Sequence, residues 1–234
     1  MELIQAGPLR VRCVGRGDGP AVVLCHGYGA PGDDLCGLAH AIDAGPRARW
    51  FFPEAPHPLP SEYGPGGRQW WPIDMVALQR AIMRGEGRVL DPEAEPEGMA
   101  DARAALVECL AWLREHREAE PSRTVIGGFS QGSMLTTDLA LSSGDPWAGL
   151  LVFSGTLLAR PRWEAALRAR STALQVFQSH GKVDPILPYP SGEALRSTFT
   201  AGGAKVEWVP FNGQHGIPDL VMARAGSWLR DRFE

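Results

Sequence analysis

The sequence has no apolar run that approaches the length of a membrane-spanning helix, and it does not begin with the basic residues and apolar stretch of a secretory signal. Its net charge is only −4, and its basic residues are scattered along the chain. Strong attraction to nucleic acid or to an anionic membrane requires clustered positive charge. We therefore expect a cytoplasmic protein with no nucleic-acid partner and no integral membrane segment. The sequence does not indicate its oligomeric state.

Cysteine is scarce, with four residues in the chain and no Cys-x-x-C pair among them. Without such a pair or a matching pair of histidines, neither a zinc site nor a redox dithiol is indicated, and we expect no metal. A chain of this length with an ordinary apolar fraction needs no disulfide bonds to fold. We therefore expect reduced thiols at all four positions, which are Cys13, Cys25, Cys36 and Cys109.

Strand-like and helix-like patterns alternate along most of the 234 residues, a length that one α/β domain commonly has. The runs at 9–14 and 21–25, separated by a glycine-rich turn, predict an antiparallel start to the sheet. Further strands are predicted near residues 50–52, 124–129, 149–154, 173–178 and 205–209, and helices include 101–117 and 218–233. We therefore predict a single α/β domain over residues 1–234, with a mostly parallel central sheet and helices on both faces.

Residues 53–98 are rich in proline and glycine and exceed the length of an ordinary connection between elements. Such segments are functional covers or flexible insertions, and we interpret this one as a cap. Its tandem tryptophans, Trp70 and Trp71, have two open interpretations. They line an apolar substrate pocket, or they anchor the segment on the core.

Residues 124–135 join an apolar β-branched run to a stretch of helix formers through the pentapeptide Gly-Phe-Ser-Gln-Gly. This pattern is typical of a nucleophile elbow, in which Ser130 occupies a strained turn between a strand and a helix. Gly128 and Gly132 flank the serine because larger side chains would collide with nearby backbone. The pentapeptide alone carries a false-positive risk, but its context supports Ser130 as the candidate nucleophile.

Polar loops after two later predicted strands supply a candidate acid and a candidate base. Asp184 follows the strand near 173–178, and His215 lies in a glycine-flanked loop after the strand near 205–209. The chain order Ser, Asp, His is the order of an α/β-hydrolase triad. We therefore predict that His215 takes the proton of Ser130 and that Asp184 orients the imidazole.

Other acidic and histidine residues could fill these roles in principle. Asp145 and Asp219 are alternative acids, although capping of a predicted helix explains Asp219. Histidines are most often structural or solvated, and this applies to His40, His57 and His116. The four-residue spacing of His180 and Asp184 does not favour a helical metal pair, because the intervening glycine and the following proline disfavour a helix.

Two backbone amides are candidates for an oxyanion hole. The amide of Gln131 follows the nucleophile at the positive end of a predicted helix. The loop Cys-His-Gly-Tyr-Gly at 25–29 supplies the amide of Tyr28, whose flanking glycines allow the N–H to turn inward. His26 in the same loop is interpreted as a structural residue that fixes the loop by hydrogen bonding.

The chain thus carries Cys-His-Gly-Tyr-Gly at 25–29, Gly-Phe-Ser-Gln-Gly at 128–132, His-Gly-Lys-Val-Asp-Pro at 180–185 and Gly-Gln-His-Gly-Ile-Pro at 213–218. Together these motifs resemble the phospholipase/carboxylesterase family of α/β-hydrolases, which includes the acyl-protein thioesterases, over nearly the whole chain. The resemblance implies Ser130, Asp184 and His215 as the triad and the amides of Tyr28 and Gln131 as the oxyanion hole. It also implies hydrolysis of carboxylic esters or thioesters without a cofactor.

Two departures from the family pattern lie where a substrate would be selected. The family's Arg-x-Trp-Phe-Asp segment is lengthened here to Arg-Gln-Trp-Trp-Pro-Ile-Asp at 68–74, and Tyr28 stands in a loop that is more aliphatic in the family. The substrate is therefore left open between a lipidated protein, a lysophospholipid and a small soluble ester.

We predict a serine hydrolase that cleaves carboxylic esters of short to medium acyl chains through an acyl-enzyme. The absence of a large apolar stretch for a lipid surface motivates the chain length. Acyl thioesterase and lysophospholipase are the alternatives within enzymes. From another class, a catalytically inert ligand-binding module on the same fold is the alternative, which the complete Ser, Asp, His constellation disfavours.

Overall fold

The structure, a computed structural model, describes residues 1–15, 17–84 and 90–233. Ten strands are found there: β1 Glu2–Ala6, β2 Leu9–Val14, β3 Ala21–Cys25, β4 Arg49–Pro53, β5 His57–Pro58, β6 Arg68–Gln69, β7 Thr124–Phe129, β8 Gly149–Phe153, β9 Gln175–Gly181 and β10 Lys205–Phe211. The helices within the described ranges are α1 Leu38–Ala41, α2 Met75–Met83, α3 Met99–Arg117, α4 Gln131–Ser142, α5 Arg160–Ala169, α6 Tyr189–Ala201 and α7 Asp219–Phe233.

Eight strands form the central sheet in the order β1-β2-β4-β3-β7-β8-β9-β10. The pairs β1/β2 and β2/β4 are antiparallel, and every other neighbouring pair is parallel. The predicted antiparallel start is confirmed, but the implied pairing of β2 with β3 is wrong. β2 pairs with β1 and β4 instead, and β3 lies between β4 and β7.

Helices cover both faces of the sheet, as predicted. Along β3, Val23 and Cys25 belong to one core cluster, whereas Val22 and Leu24 belong to the other. This alternation follows from the period of two along a strand. The first cluster contains side chains of α3, α4, α5 and α6, and the second contains side chains of α7. The observed layers are those of an α/β-hydrolase, so the predicted fold class is confirmed.

The insertion at 53–98 leaves β4 and returns to α3. It contains the small antiparallel pair β5/β6 and helix α2, while its residues 85–89 lie outside the described part of the chain. Its returning arm is fixed to α5, because the amides of Ala159 and Arg160 donate hydrogen bonds to the carbonyls of Ala94 and Pro92 at 3.0 and 2.9 Å.

A charged network reinforces this anchor. Arg103 of α3 contacts both Glu95 of the returning arm and the buried carboxylate of Asp138 on α4. Arg162 of α5 also contacts both carboxylates, at 3.1 Å from Glu95 and 2.6 Å from Asp138. The arm is therefore tied to the helix that carries the nucleophile elbow.

The free cysteines agree with the expectation of reduced thiols. All four cysteines are free thiols. Burial raises the pKa of Cys13 to about 11 and that of Cys109 to about 12, so neither is a reactive thiolate near neutral pH. Among the helices of the described segments, none has the length and apolarity that crossing a membrane requires.

Candidate active site

Ser130 occupies a strained turn between β7 and α4. Its backbone has φ 52° and ψ −120°, a conformation that a non-glycine residue adopts only where the surrounding structure enforces it. A Cβ atom at Gly132 would lie 2.1 Å from the carbonyl oxygen of Cys25, and one at Gly128 would lie 2.5 Å from the same oxygen. The two glycines therefore let the elbow approach β3 closely, as the Gly-x-Ser-x-Gly pattern predicts.

Ser130 and His215 line one cavity of about 230 Å³. The cavity lies at the carboxyl edge of the parallel strands, where the loops after β3, β7, β9 and β10 meet. Tyr28 and Gln131 line it as well. Most of the remaining wall is apolar and consists of Ile73, Met75, Leu78, Leu90, Phe129, Met134, Ile186 and Leu187.

Asp184 accepts three hydrogen bonds. Its Oδ2 lies 2.6 Å from Nδ1 of His215, and its Oδ1 accepts from the amides of Ile186 and Leu187, each at 2.9 Å. Burial alone would raise the pKa of Asp184, but the hydrogen bond from His215 and those from the two amides hold it below its ordinary value. Asp184 is therefore ionised, and it fixes the proton of His215 on Nδ1. Nε2 of His215 is then left able to accept a proton.

His180 lies beside Asp184, although the sequence pattern predicts no role for this histidine. Its buried ring places Nε2 2.8 Å from the carbonyl of Leu187 and 3.5 Å from Oδ2 of Asp184. Burial lowers the pKa of His180, so the ring is neutral and Nε2–H donates to Leu187. The four-residue spacing of His180 and Asp184 is the sequence signal for this contact. Interpreted only as a possible metal pair, that spacing does not predict the contact.

The two predicted oxyanion donors, Tyr28 and Gln131, belong to different parts of the wall around Ser130. Gln131 is the first residue of α4, so its amide is at the positive end of the helix. Tyr28 lies in the loop after β3, where the amide of Gly29 donates to the carbonyl of Arg68 at 2.8 Å and that of Ala30 donates to Gly27 at 3.3 Å. Both residues border the cavity that contains Ser130.

His26 has the structural role that the sequence predicts. Its ring is buried, Nε2 accepts a hydrogen bond from the amide of Ala55 at 3.1 Å, and Nδ1 lies 2.8 Å from the carbonyl of Gly27. Since Nε2 is an acceptor, the proton resides on Nδ1 and is donated to Gly27. Burial lowers the pKa of His26, which keeps the ring neutral.

The structure does not bring Trp70 and Trp71 to the cavity that contains Ser130. Both side chains are buried, at 0% and 2% exposure, and Trp70 donates from Nε1 to the carbonyl of His26 at 2.9 Å. Their position corresponds to the anchoring interpretation. Trp71 borders a second cavity of about 470 Å³ beneath α2, which shares Ile73, Leu78 and Leu90 with the first.

The alternative acids and bases lie elsewhere. Asp219 is exposed at the start of α7, and Asp145 lies in the turn before β8. None of the three histidines considered above borders the cavity, and all are exposed: His40, His57 and His116. Across the described ranges, no cluster of three or more His, Cys, Asp or Glu side chains could hold a metal ion.

An elbow serine at the carboxyl edge of an eight-stranded sheet, sharing its cavity with a histidine that is hydrogen-bonded to an aspartate, defines the class of α/β-hydrolases. The sequence profile of the phospholipase/carboxylesterase family matches residues 7–231. The chain belongs to this family, and it is an enzyme, a hydrolase of the carboxylesterase type.

Individual relatives agree with this membership. Acyl-protein thioesterase 1 of Eremothecium gossypii is 30% identical over 199 residues, which cover 83% of this chain and 78% of that protein. The crystal structure of esterase PE8 superposes with a TM-score of 0.79 and 25% identity, covering 95% of this chain and 98% of that one. The Bacillus cereus carboxylesterase shares the fold, with a TM-score of 0.72, 19% identity and coverage of 96% and 95%.

Proposed function

We propose that the protein is a serine hydrolase that cleaves carboxylic esters of short to medium acyl chains through an acyl-enzyme. The observation that carries the proposal is the hydrogen bond of 2.6 Å between Asp184 and Nδ1 of His215, in a site where His215 and the elbow serine line the same cavity. This tautomer leaves Nε2 of His215 as the base that Ser130 requires. The apolar wall of the same cavity then supplies a surface for the acyl group.

The reaction follows from these roles. Oγ of Ser130 attacks the carbonyl carbon while its proton passes to Nε2 of His215, and Asp184 stabilises the resulting imidazolium. The oxyanion is stabilised by the amides of Tyr28 and Gln131. His215 then protonates the departing alcohol, which leaves an ester bond between the acyl group and Ser130. Water, deprotonated by His215, cleaves that bond and releases the acid.

The size of the cavity supports the limit on acyl length. About 230 Å³ is below the range of roughly 300–1,000 Å³ that is typical of pockets for drug-sized ligands, and the wall is mostly apolar. A short acyl chain fits such a volume, whereas a long one would need space beyond Leu78 and Leu90. The substrate is therefore a small-molecule ester.

A thioester is the second candidate. A relative whose alignment with this chain covers 78% of the relative's own length is named an acyl-protein thioesterase. The same nucleophile and base can serve both reactions. A thiolate leaves more readily than an alkoxide, so the leaving group of a thioester needs less protonation by His215. Rates with butyrate esters of 4-nitrophenol and 4-nitrothiophenol separate the two. A thioester preference well beyond that of the uncatalysed reactions would favour the thioesterase.

The test is covalent labelling by a fluorophosphonate, followed by intact mass measurement and by turnover of p-nitrophenyl butyrate. We expect one adduct on the parent protein, and neither adduct nor turnover with Ser130→Ala. Ser142→Ala on the same helix is the matched control and should label normally. An unlabelled parent protein that is folded would refute the proposal and favour the inert binding module.

A further inference from the structure

The side chain of Gln131 joins the elbow to the insertion. Its Oε1 accepts a hydrogen bond from the amide of Trp70 at 2.9 Å, and its Nε2 donates to the carbonyl of Trp71 at 2.8 Å. The side chain is 1% exposed, so both bonds are shielded from water. Since one partner is an N–H and the other a C=O, only one orientation of the amide satisfies both.

The same segment of the insertion is bound to the loop after β3. The amide of Gly29 donates to the carbonyl of Arg68, and the amide of Arg68 donates to the carbonyl of Ala30 at 3.1 Å. The indole of Trp70 donates to the carbonyl of His26. Residues 68–71 thus form a bridge, with the Tyr28 loop on one side and the Gln131 side chain on the other.

We propose that the Gln131 side chain is a positioning residue that sets the spacing of the two oxyanion donors through this bridge. The proposal rests on the proposed function, in which the amides of Tyr28 and Gln131 bind the oxyanion. Such donors stabilise a transition state only when they are held at hydrogen-bond distance from the charge before it forms. The insertion is therefore part of the catalytic scaffold as well as a cover.

This role differs from substrate binding. The two hydrogen bonds of Gln131 go to the backbone of Trp70 and Trp71, buried residues that do not border the cavity. Their loss lets the Tyr28 loop shift relative to the elbow, while the apolar wall that holds the ground-state substrate is kept. Transition-state binding should fall more than substrate binding.

The test compares Gln131→Met, which keeps the side-chain length and removes both bonds, with Gln178→Met. Gln178 is an equally buried glutamine whose Nε2 donates to the carbonyl of Gly192 at 2.8 Å, away from the cavity, so it reports the effect of losing a buried amide alone. For each variant, kcat and KM for p-nitrophenyl butyrate are measured, together with the Ki of a trifluoromethyl ketone that forms a tetrahedral adduct.

For Gln131→Met we expect kcat to fall roughly 10- to 100-fold. This fall should be no larger than the fall in kcat that follows removal of a whole oxyanion donor. KM should stay within about twofold, and the Ki of the ketone should rise in parallel with the fall in kcat. Gln178→Met removes one buried hydrogen bond where Gln131→Met removes two, so it should lower thermal stability by a smaller amount, while kcat stays within about threefold of the parent.

Trp70→Phe is the second variant, which keeps an aromatic ring and removes only the bond to His26. It should shift kcat and Ki in the same direction by a smaller factor, and it decides the matter if Gln131→Met does not fold. Unchanged kcat in either folded variant, or an equal loss in Gln178→Met, would overturn the proposal. These comparisons require that the parent protein turns over the ester. A parent protein without turnover would count against the proposed function, whereas an active parent with unaffected variants would count against the role of Gln131.

Discussion

The imidazole of His215 packs against the ring of Phe129, the residue before Ser130, with 4.7 Å between centroids and 50° between planes. His215 is therefore held by two contacts of different kinds. Asp184 fixes its proton and one end of the ring, and Phe129 supports its face. Because Phe129 belongs to the elbow strand, the base and the nucleophile are positioned by the same element.

Phe129→Ala should lower kcat for p-nitrophenyl butyrate by about tenfold. Aromatic contacts of this kind contribute about 0.5–1.5 kcal/mol, which corresponds to roughly a factor of ten in rate at the upper end. Phe129→Leu retains an apolar contact and should lose less. Steady-state kinetics provide the measurement, and a kcat within about twofold of the parent for the alanine variant would show that Asp184 alone orients the ring.

Gly132→Ala should abolish measurable esterase activity. Its Cβ would lie 2.1 Å from the carbonyl oxygen of Cys25, so the elbow and β3 must separate. Gly37→Ala is the control, because a Cβ there has open space and its φ is −60°. Fluorophosphonate labelling and circular dichroism would be recorded for both variants. Normal labelling of Gly132→Ala would contradict the close approach of the elbow to β3.

Leu78→Ala should shift the acyl preference toward longer chains. Leu78 borders both the active-site cavity and the second cavity of about 470 Å³, so truncation joins the two spaces. We expect the ratio of kcat/KM for decanoate to that for butyrate to rise by about 5- to 20-fold, as several additional methylenes become buried at about 0.8 kcal/mol each, partly offset by the lost packing of Leu78.

Val76→Ala is the matched control for this change. Val76 lies on the same helix, is 57% exposed and borders neither cavity, so its truncation should leave the ratio unchanged. An equal rise in both variants would assign the effect to loosening of α2. An unchanged ratio in Leu78→Ala would mean that long chains do not use the second cavity.

Glu54→Gln should lower stability in a pH-dependent manner. The buried Glu54 carboxylate pairs with Arg12 and Arg10 and lies 3.2 Å from Arg68. Burial alone would raise its pKa, but these guanidinium groups hold it below the ordinary value of 4.5. The stabilisation is therefore complete above pH 4.5 and is lost as the pH falls through the lower pKa of the folded state.

Urea unfolding at several pH values measures this effect. At neutral pH the Gln variant should lose about 3 kcal/mol, as expected when one partner of a buried ion pair is removed. The difference from the parent should shrink below pH 4.5. Glu62→Gln, at an exposed carboxylate, should cost little at any pH. A difference that grows on acidification would contradict the depressed pKa.

Local sequence patterns were sufficient to predict features that depend only on residues close together in the chain. The apolar run of β7 predicts the strand bounds, and the glycines around Ser130 predict the elbow, because both depend on contacts within a few residues. β1 carries polar residues at an edge of the sheet and has no such signal. β3 pairs with β4 and β7, which are distant in the chain, so no local pattern predicts its partners.

The same distinction applies to the site. Asp184 and His215 could be predicted because each follows a strand of a parallel sheet, and such strands end at one edge. The sequence does not reveal whether Trp70 anchors the insertion or lines a pocket, since tryptophan is suited to both roles. Its contact with His26 and that of Gln131 with the insertion join residues that are far apart in the chain.

The returning arm of the insertion is fastened to α5 and to the buried Asp138, while the opposite end is bound to the Tyr28 loop and to Gln131. The stretch between these two attachment points includes α2 and the cavity walls that α2 contributes. Residues there can be substituted while both attachment points are kept. If the proposed function holds, substitutions in this stretch should change the acyl preference while Ser130, Asp184 and His215 keep their contacts.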